Sequence, residues 1–324
     1  MPKFTIITCY HFNRGSNPTA YALLLRSLKS SIEQVKDCGR VVLVANGMRD
    51  EYQAEDPAVV LAELGVHNCP EYETVQLDSN QGSAGGLNAG VIHALARPCG
   101  PDEWIGSVQS SAILGPQYLD HLNLPAASGD ALALFGRLVY EHKTEVIWAD
   151  GHFLKAGIAD NFNGESSVES ANPHIPQNLF PCLSACFYHG RLVNQIVAKY
   201  GNFAHAHFPH YGDCLDVALR ARAVSPGNQS RYCPGAVAQK RTPKINVANL
   251  QTARLMAASL YYEGKNEEAE MRLARKCETA KYAYLWDCVP EDAFTRLARD
   301  YCPEKGITPP KVSGSFDPEW GHDA

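Results

Sequence analysis

The stretch WIGSVQSSAIL, residues 104–114, carries polar side chains at a position where a ligand is expected to bind. It predicts a buried strand that ends in three small uncharged polar residues, Gln109, Ser110 and Ser111. In an open α/β sheet, ligands bind in the crevice beyond the carboxyl ends of the strands. We therefore expect these amide and hydroxyl groups to donate hydrogen bonds to a bound ligand.

A glycine-rich segment, NQGSAGGLNAG at residues 80–90, lies between a predicted strand and a predicted helix. The free N–H groups and the dipole of a helix N-terminus can receive a phosphate, and glycine lets the backbone approach it closely. The segment is neither a P-loop nor the G-x-G-x-x-G dinucleotide fingerprint. A tight turn with close helix packing would use the same glycines, so both interpretations stay open.

Three aspartates are candidates for proton transfer. Asp213 and Asp216 lie in HYGDCLDVALRAR at the start of a predicted helix, and Asp150 ends the predicted strand EVIWAD. A carboxylate within hydrogen-bond reach of a hydroxyl group can take its proton as a general base. The alternative role of Asp216 is to stabilise the helix N-terminus by its charge, and that of Asp150 is to make the turn.

The histidines and cysteines have ordinary structural explanations. His205, His207 and His210 in HAHFPH can bind a transition metal if they converge with a carboxylate, and are otherwise loop residues or hydrogen-bond partners. The eleven cysteines are odd in number and include no C-x-x-C pair. We therefore predict no metal site, and we expect reduced, mostly buried thiols rather than a disulfide framework.

Predicted strands and helices alternate in the first half of the chain, which indicates a parallel sheet with helices on both faces. The predicted strands there are FTIITCY, RVVLVA, ETVQLD and WIGSVQ. The second half contains a predicted strand pair, ALALFGRLVY and KTEVIWA, then the strand PCLSACFYH and the helix DCLDVALRARA. From about residue 245 the pattern predicts a helical hairpin that caps the main domain.

The composition of the chain excludes several classes of protein. The chain has 324 residues, of which 45% are hydrophobic and 20% charged, as in ordinary globular proteins. Its net charge of -6 argues against a protein whose main role is to wrap nucleic acid. The sequence shows no apolar run long enough to span a membrane and no export signal, so we expect a cytoplasmic protein.

Three segments in order resemble family 2 glycosyltransferases of the GT-A fold. LDSNQGSAGGLNAGV resembles their loop and helix, EWIGSVQSSAILGPQYLDHL the strand with their acidic metal-binding motif, and HYGDCLDVALRAR the acidic segment with their catalytic base. Between them, LFGRLVYEHKTEVIWADGHF is similar to the strand pair of rhamnosyl- and galactofuranosyl-transferase-like members. The resemblance covers residues 3–223 and implies a nucleotide-diphospho-sugar transferase fold with a C-terminal helical extension.

The resemblance also implies a domain plan. Residues 1–125 would form the nucleotide-sugar-binding half of the GT-A domain, and residues 126–243 its acceptor-binding half. Residues 244–302 would form the helical cap, followed by a tail at 303–324.

The resemblance assigns candidate residues to each part of the site. The two aspartates that hold a divalent cation in the family correspond to Gln109 and Ser111, and the family's paired acids correspond to Asp213 and Cys214. It implies Asp213 as the base, Asp150 and Asp216 on the acceptor side, and a donor-binding set of Thr8, Tyr10, Asn46, Asn80, Gly82, Gly85, Gly86, Asn88, Gln109, Ser110 and Ser111.

We therefore expect an inverting glycosyltransferase that uses a nucleotide sugar and no resident cofactor. Neutral side chains cannot replace two carboxylates as ligands of Mg²⁺ or Mn²⁺, so the preferred interpretation is metal-independent transfer. The alternatives are a metal recruited by the histidines and sugar-nucleotide binding without catalysis. A further alternative is glycosylation of nucleic acid, for which QKRTPK at residues 239–244 offers a short basic stretch.

Overall fold

The structure is a computed structural model. It describes residues 3–36, 39–49, 53–66, 69, 71–97, 103–127, 131–155, 158–176, 179–205, 213–226 and 230–241. The predicted helical cap and tail lie outside these residues, and so do His207 and His210. Among the residues described, no helix combines the length and apolar character that crossing a membrane would require.

The first half of the chain forms the alternating elements that the sequence predicts. They are β1 (Lys3–Tyr10), α1 (Pro18–Val35), β2 (Gly39–Asn46), α2 (Pro57–Glu63), β3 (Tyr72–Leu77), α3 (Gly82–Leu95) and β4 (Glu103–Val108). Strand β1 lies between β2 and β4, strand β2 also pairs with β3, and all of these pairings are parallel. The predicted parallel sheet is confirmed for these four strands.

The second half adds further strands to the same sheet. Its elements are β5 (Ala112–Leu114), α4 (Tyr118–Ala127), β6 (Ala133–Tyr140), β7 (Lys143–Ala149), β8 (His152–Lys155), β9 (Ile158–Asn161), β10 (Ala185–His189), α5 (Gly190–Tyr200), α6 (Asp213–Val224) and β11 (Ser230–Lys240). In the described part of the chain, the strand order is β3-β2-β1-β4-β10-β6-β11-β5, with β7 paired to β6. Strand β10 is antiparallel to both of its neighbours, so the sheet is mixed.

Helices cover both faces of the sheet. Buried side chains of α1, α2 and α4 pack in one apolar cluster, and those of α3, α5 and α6 pack in another. Helix α1 begins where the Asn17 side chain accepts a hydrogen bond from the Ala20 N–H at 3.0 Å, with Pro18 in its first turn. The doubly covered sheet is the architecture that the alternation of elements predicts.

The predicted strand through residues 104–114 is interrupted in the structure. Strand β4 ends at Val108, and the chain turns through residues 109–111, where the Ala112 N–H donates to the Gln109 carbonyl at 2.8 Å. Strand β5 then pairs with β11 rather than with the neighbours of β4. The three polar residues therefore lie in a tight turn between two separate strands of the sheet.

Candidate active site

The carboxyl ends of four strands reach one edge of the sheet. Strands β1, β2 and β4 are parallel and end there at Tyr10, Asn46 and Val108. Strand β6 is antiparallel to β10, as β4 is, and β11 is parallel to β6. Strand β11 therefore runs in the same direction as β4, and its last residue, Lys240, arrives at the same edge.

Lys240 contacts the two positions at which the resemblance places metal-binding acids. Its ammonium group donates hydrogen bonds to Gln109 Oε1 and to Ser111 Oγ. The side chain is buried, with the residue only 5% exposed. An ammonium group has three N–H donors, and these two oxygens are its hydrogen-bond partners among the described residues. A positive group with one N–H left over thus lies at the strand end.

Gln109 is held in place from several sides. Its N–H donates to the Ser184 carbonyl at 3.0 Å, and its Oε1 accepts a hydrogen bond from Ser184 Oγ at 2.9 Å. Its carbonyl accepts a hydrogen bond from Ser27 Oγ at 3.2 Å. Because Oε1 faces Lys240 and Ser184, the amide NH₂ group is the part of this side chain that can donate to a ligand. Ser110 lies beside it in the turn, partly exposed.

Burial also lowers the pKa of Lys240. Removal from water disfavours the charged amine and brings its pKa to about 8. The anionic forms of Cys182, Cys214 and Asp213 would act in the opposite direction and raise the pKa of Lys240. The group is still mainly protonated at neutral pH, and a bound anion would stabilise that form.

Asp213 lies at the start of α6 and is 5% exposed. One carboxylate oxygen accepts a hydrogen bond from Ser83 Oγ at 3.1 Å, and the other accepts one from the Cys214 N–H at 3.0 Å. Burial raises the pKa of Asp213. Ser83 belongs to the first turn of α3, so this contact joins the glycine-rich segment to the acidic segment.

Asp216 and Asn88 make structural contacts. Asp216 pairs with Arg220 at 3.0 Å and accepts a hydrogen bond from the His205 N–H at 2.6 Å. Burial raises the pKa of Asp216 to about 6, against the opposing effect of Arg220. The Asn88 side chain binds the main chain of residues 203–204 at 2.7, 2.8 and 3.1 Å. Both side chains thus fix the segment between α5 and α6.

The glycine-rich segment is a helix start rather than a loop. Helix α3 begins at Gly82, four residues before the helix that the sequence suggests, and its glycines at 82, 85 and 86 are buried. Asn46 Nδ2 donates to Asn80 Oδ1 at 2.9 Å, and Asn46 Oδ1 accepts a hydrogen bond from the Gln81 N–H at 2.8 Å. Asn46 and Asn80 therefore orient the first turn of α3 at the same edge as Lys240.

The other predicted residues have different environments, and Asp150 follows β7, which runs away from this edge. Thr8 is buried, and its hydroxyl has no hydrogen-bond partner among the described residues. The Tyr10 hydroxyl donates to the Glu55 carbonyl. Asp150 is fully buried and bound by Arg137 at 2.8 and 2.9 Å, so its carboxylate belongs to a buried ion pair.

A group of two thiols and one imidazole lies next to Asp213. The ligand atoms of His152, Cys182 and Cys214 all lie within 4.8 Å of one another. A hydrogen bond from the Cys214 thiol, with the His152 ring as a further cause, holds the pKa of Cys182 well below its usual range. Cys214 Sγ lies 3.7 Å from Asp213 Oδ1.

The sequence analysis missed Lys240 as a site residue. Lys240 belongs to the basic stretch QKRTPK, in which the sequence indicates a surface for nucleic acid, but its side chain is buried in β11. Arg241 pairs with Glu141 at 4.0 Å. The described part of that stretch therefore offers less free positive charge for nucleic acid than the sequence suggests. The signal that could have found Lys240 is the short apolar run AVA at residues 236–238, which is typical of a buried strand that continues into Lys240.

The comparisons with known proteins establish the fold. No protein-family model and no curated protein sequence matches the chain. The solved structure of S. aureus TarS, a GT-A-type glycosyltransferase, matches 94% of this chain at 12% identity with a TM-score of 0.50. The match covers 53% of that structure, so the chain spans about half its length. The protein has a GT-A-like fold.

Two other solved structures of TarS superpose less closely. The structure of its residues 1–349 matches 97% of this chain and 94% of its own length at 11% identity, with a TM-score of 0.46. The same fragment in complex with UDP matches 90% of this chain and 82% of its own length at 11% identity, with a TM-score of 0.47. Neither adds to the fold assignment.

Proposed function

We propose that this protein is an inverting glycosyltransferase that moves a sugar from a nucleotide-activated donor to an acceptor hydroxyl without a divalent metal ion. The observation that carries the proposal is the contact of the Lys240 ammonium with both Gln109 and Ser111. The GT-A-like fold supports it, because the resemblance places the donor diphosphate beyond this strand end.

The charge balance explains how Lys240 would take the place of a divalent metal ion at Gln109 and Ser111. Two aspartates and a divalent ion together carry no net charge, whereas neutral Gln109 and Ser111 with the Lys240 ammonium carry one positive charge. The ammonium is buried, and electrostatic attraction is stronger in the protein interior than in water. A donor diphosphate would therefore bind next to a positively charged ammonium group that donates hydrogen bonds to two neutral oxygens.

The same groups would stabilise the leaving diphosphate. The remaining N–H of Lys240 and the amide of Gln109 donate to its oxygens as the bond to the sugar breaks. The Gly82 N–H already donates to Asn80 Oδ1 at 2.9 Å, so the N-terminus of α3 would contribute the N–H groups of the turn that follows Gly82. Each donor aimed at developing charge typically contributes about 2.7–4 kcal/mol to the transition state.

Asp213 would act as the general base. Its raised pKa makes it a stronger proton acceptor, and its hydrogen bonds from Ser83 Oγ and the Cys214 N–H fix its position. The acceptor oxygen attacks the anomeric carbon and loses its proton to Asp213, while the diphosphate leaves from the opposite side of that carbon. A single displacement of this kind inverts the configuration.

Residues at the ends of β1 and β2 would make the remaining contacts with the nucleotide sugar. We assign Thr8, Tyr10 and Asn46 to the side of the nucleotide base, where β1 and β2 end. Asn80 is assigned to the ribose, and the glycines of the first turn of α3 to the phosphates. Asp150 and Asp216 support the acceptor side through their pairs with Arg137 and Arg220.

The proposal is tested by incubating the protein with a panel of uridine, guanosine, thymidine and cytidine diphosphate sugars in EDTA. We expect one donor to be cleaved with release of its nucleoside diphosphate, by transfer or by slow hydrolysis. Added Mg²⁺ or Mn²⁺ should leave that rate unchanged. Binding of a donor without any cleavage would indicate the non-catalytic alternative, and rescue of an EDTA-silenced enzyme by Mn²⁺ would contradict metal independence.

A further inference from the structure

Three segments distant in sequence bring His152, Cys182 and Cys214 together. His152 begins β8, Cys182 precedes β10, and Cys214 is the second residue of α6. Their ligand atoms all lie within 4.8 Å of one another, and Cys182 is only 5% exposed. None of the three is needed in the proposed transfer reaction.

The main chain already holds these three side chains in place. His152 exchanges two backbone hydrogen bonds with Phe180, at 2.9 and 2.8 Å, which fixes β8 beside the segment that carries Cys182. The Leu183 N–H donates to Cys214 Sγ at 3.3 Å, which fixes the start of α6 to the same segment. An N–H that points at a sulfur also stabilises a thiolate, as a supporting hydrogen bond does in metal sites.

The chemistry of these three side chains determines which metal ion they would bind. Thiolate sulfur and imidazole nitrogen are ligands of Zn²⁺ and similar transition metals, whereas Mg²⁺ and Mn²⁺ prefer oxygen. Two cysteines and one histidine are a known three-ligand set for zinc, with the fourth position open to water or another group.

We propose that His152, Cys182 and Cys214 bind one zinc ion. The ion ties β8, the segment before β10 and the N-terminus of α6 to one another. Because Asp213 precedes Cys214 and accepts its N–H, the ion also fixes the position of that carboxylate. None of these ligands is Gln109, Ser111 or Lys240, but Cys182 Sγ lies 3.3 Å from the hydroxyl of Ser184, which binds Gln109 Oε1. The ion would therefore lie beside the diphosphate site without replacing its missing cation.

The test measures metal in the full chain purified without chelator. Elemental analysis should find about one zinc per chain, as a three-ligand site predicts. The double variant Cys182→Ser with Cys214→Ser should lose the zinc, and Cys69→Ser, which changes a cysteine outside the group, should keep it. Circular dichroism of each variant checks that it is folded.

Cobalt supplies a second measurement on the unaltered sequence. Co²⁺ added to the metal-free protein should give the visible bands of a tetrahedral site and a thiolate-to-cobalt charge-transfer band in the near ultraviolet. Cys69→Ser should show both, and His152→Ala should show weakened bands. Purified protein without zinc, together with no thiolate band on cobalt titration, would overturn the proposal.

Other outcomes are equally decisive. Zinc retained in the Cys182→Ser, Cys214→Ser variant would place the ion elsewhere, and a disulfide between these cysteines in freshly purified protein would replace the zinc site. Measuring the metal content does not require enzymatic activity. The zinc proposal can therefore fail or succeed independently of the proposed transfer reaction.

Discussion

Lys240 is a buried cation whose hydrogen-bond partners among the described residues are neutral oxygens. Burying a charge without an opposite charge in hydrogen-bond contact is costly, and the lowered pKa of Lys240 reflects that cost. A diphosphate that binds next to it supplies the missing negative charge. The energy that burial costs in the free protein is thus recovered as affinity for an anionic ligand.

The first prediction is that binding of the donor weakens at alkaline pH. The free protein loses the Lys240 proton as the pH rises through about 8, and an anionic ligand prefers the protonated form. Affinity should therefore be constant below pH 8 and fall about tenfold per pH unit above it. Asp213, Cys182 and Cys214 are the titratable groups that face Lys240, and the anionic form of each raises the pKa of Lys240.

Lys240→Arg is the matched variant for this pH profile. A guanidinium stays charged throughout this range, so its affinity should show no fall above pH 8. Isothermal titration of the nucleoside diphosphate between pH 6.5 and 9.5 measures both profiles. Identical profiles for the two proteins would assign the titration to a different group.

The second prediction concerns the base. Asp213→Asn keeps the size of the side chain and removes its ability to take a proton. Transfer should slow by about 10²- to 10⁴-fold, while the dissociation constant of the donor changes little. Asp120→Asn, at an exposed position of α4, is the control. A variant Asp213→Asn with nearly unchanged turnover would remove Asp213 as the base.

At the scale of elements, the close approach of α3 to the sheet depends on Gly90. A β-carbon at this position would lie 2.4 Å from Ile7 Cγ2 and 3.1 Å from Val44 Cγ2. The third prediction is that Gly90→Val lowers the free energy of unfolding by about 3 kcal/mol through overpacking. Ile92→Val, on the exposed face of the same helix, should change it by less than about 0.5 kcal/mol. Urea unfolding measures both, and equal stability would mean that α3 lies farther from the sheet.

The turn between β4 and β5 gives the fourth prediction. The double variant Gln109→Asp with Ser111→Asp places two carboxylates against the Lys240 ammonium, where they would pair with it instead of a diphosphate. Affinity for the nucleoside diphosphate in EDTA should fall by at least about tenfold, the factor that about 1.4 kcal/mol represents. Added Mn²⁺ should recover part of it.

The neutral counterpart, Gln109→Asn with Ser111→Asn, separates charge from shape. It should lose less affinity and should show no response to Mn²⁺. If the acidic variant binds in EDTA as well as the unaltered protein does, the diphosphate does not lie at this turn.

The sequence predicted the strands and helices whose pattern of apolar residues is continuous along a short stretch of the chain. The four parallel strands of the first half are confirmed, since each is a short apolar or alternating run next to turn residues. Strand β11 was missed because Pro234 and Gly235 interrupt its pattern, and the structure accommodates them at an irregularity in its pairing with β6 between Cys233 and Val237. Helix α5 was also missed, although the αL residue Gly201 marks its end.

At the scale of the molecule, both halves of the chain contribute strands to one sheet, and the candidate site lies where they meet. The first half supplies Gln109, Ser111 and Ser83, and the second supplies Asp213 and Lys240. The polar turn and the acidic segment were visible in the sequence because each is local. The contact between Lys240 and Gln109 was not, because it joins residues 131 positions apart whose meeting depends on strand order.

The fifth prediction tests the central claim, which is that Lys240 takes the place of a metal ion in binding a nucleoside diphosphate. Isothermal titration in EDTA compares UDP, GDP, TDP and CDP on the unaltered protein, on Lys240→Met and on Lys29→Met, a control at an exposed position of α1. One nucleotide should bind the first and third proteins without added metal. Its affinity for Lys240→Met should be lower by about tenfold to hundredfold, since a hydrogen bond to a charged group contributes about 1.5–3 kcal/mol. Binding that requires Mg²⁺ or Mn²⁺ and is unchanged in Lys240→Met would contradict the account.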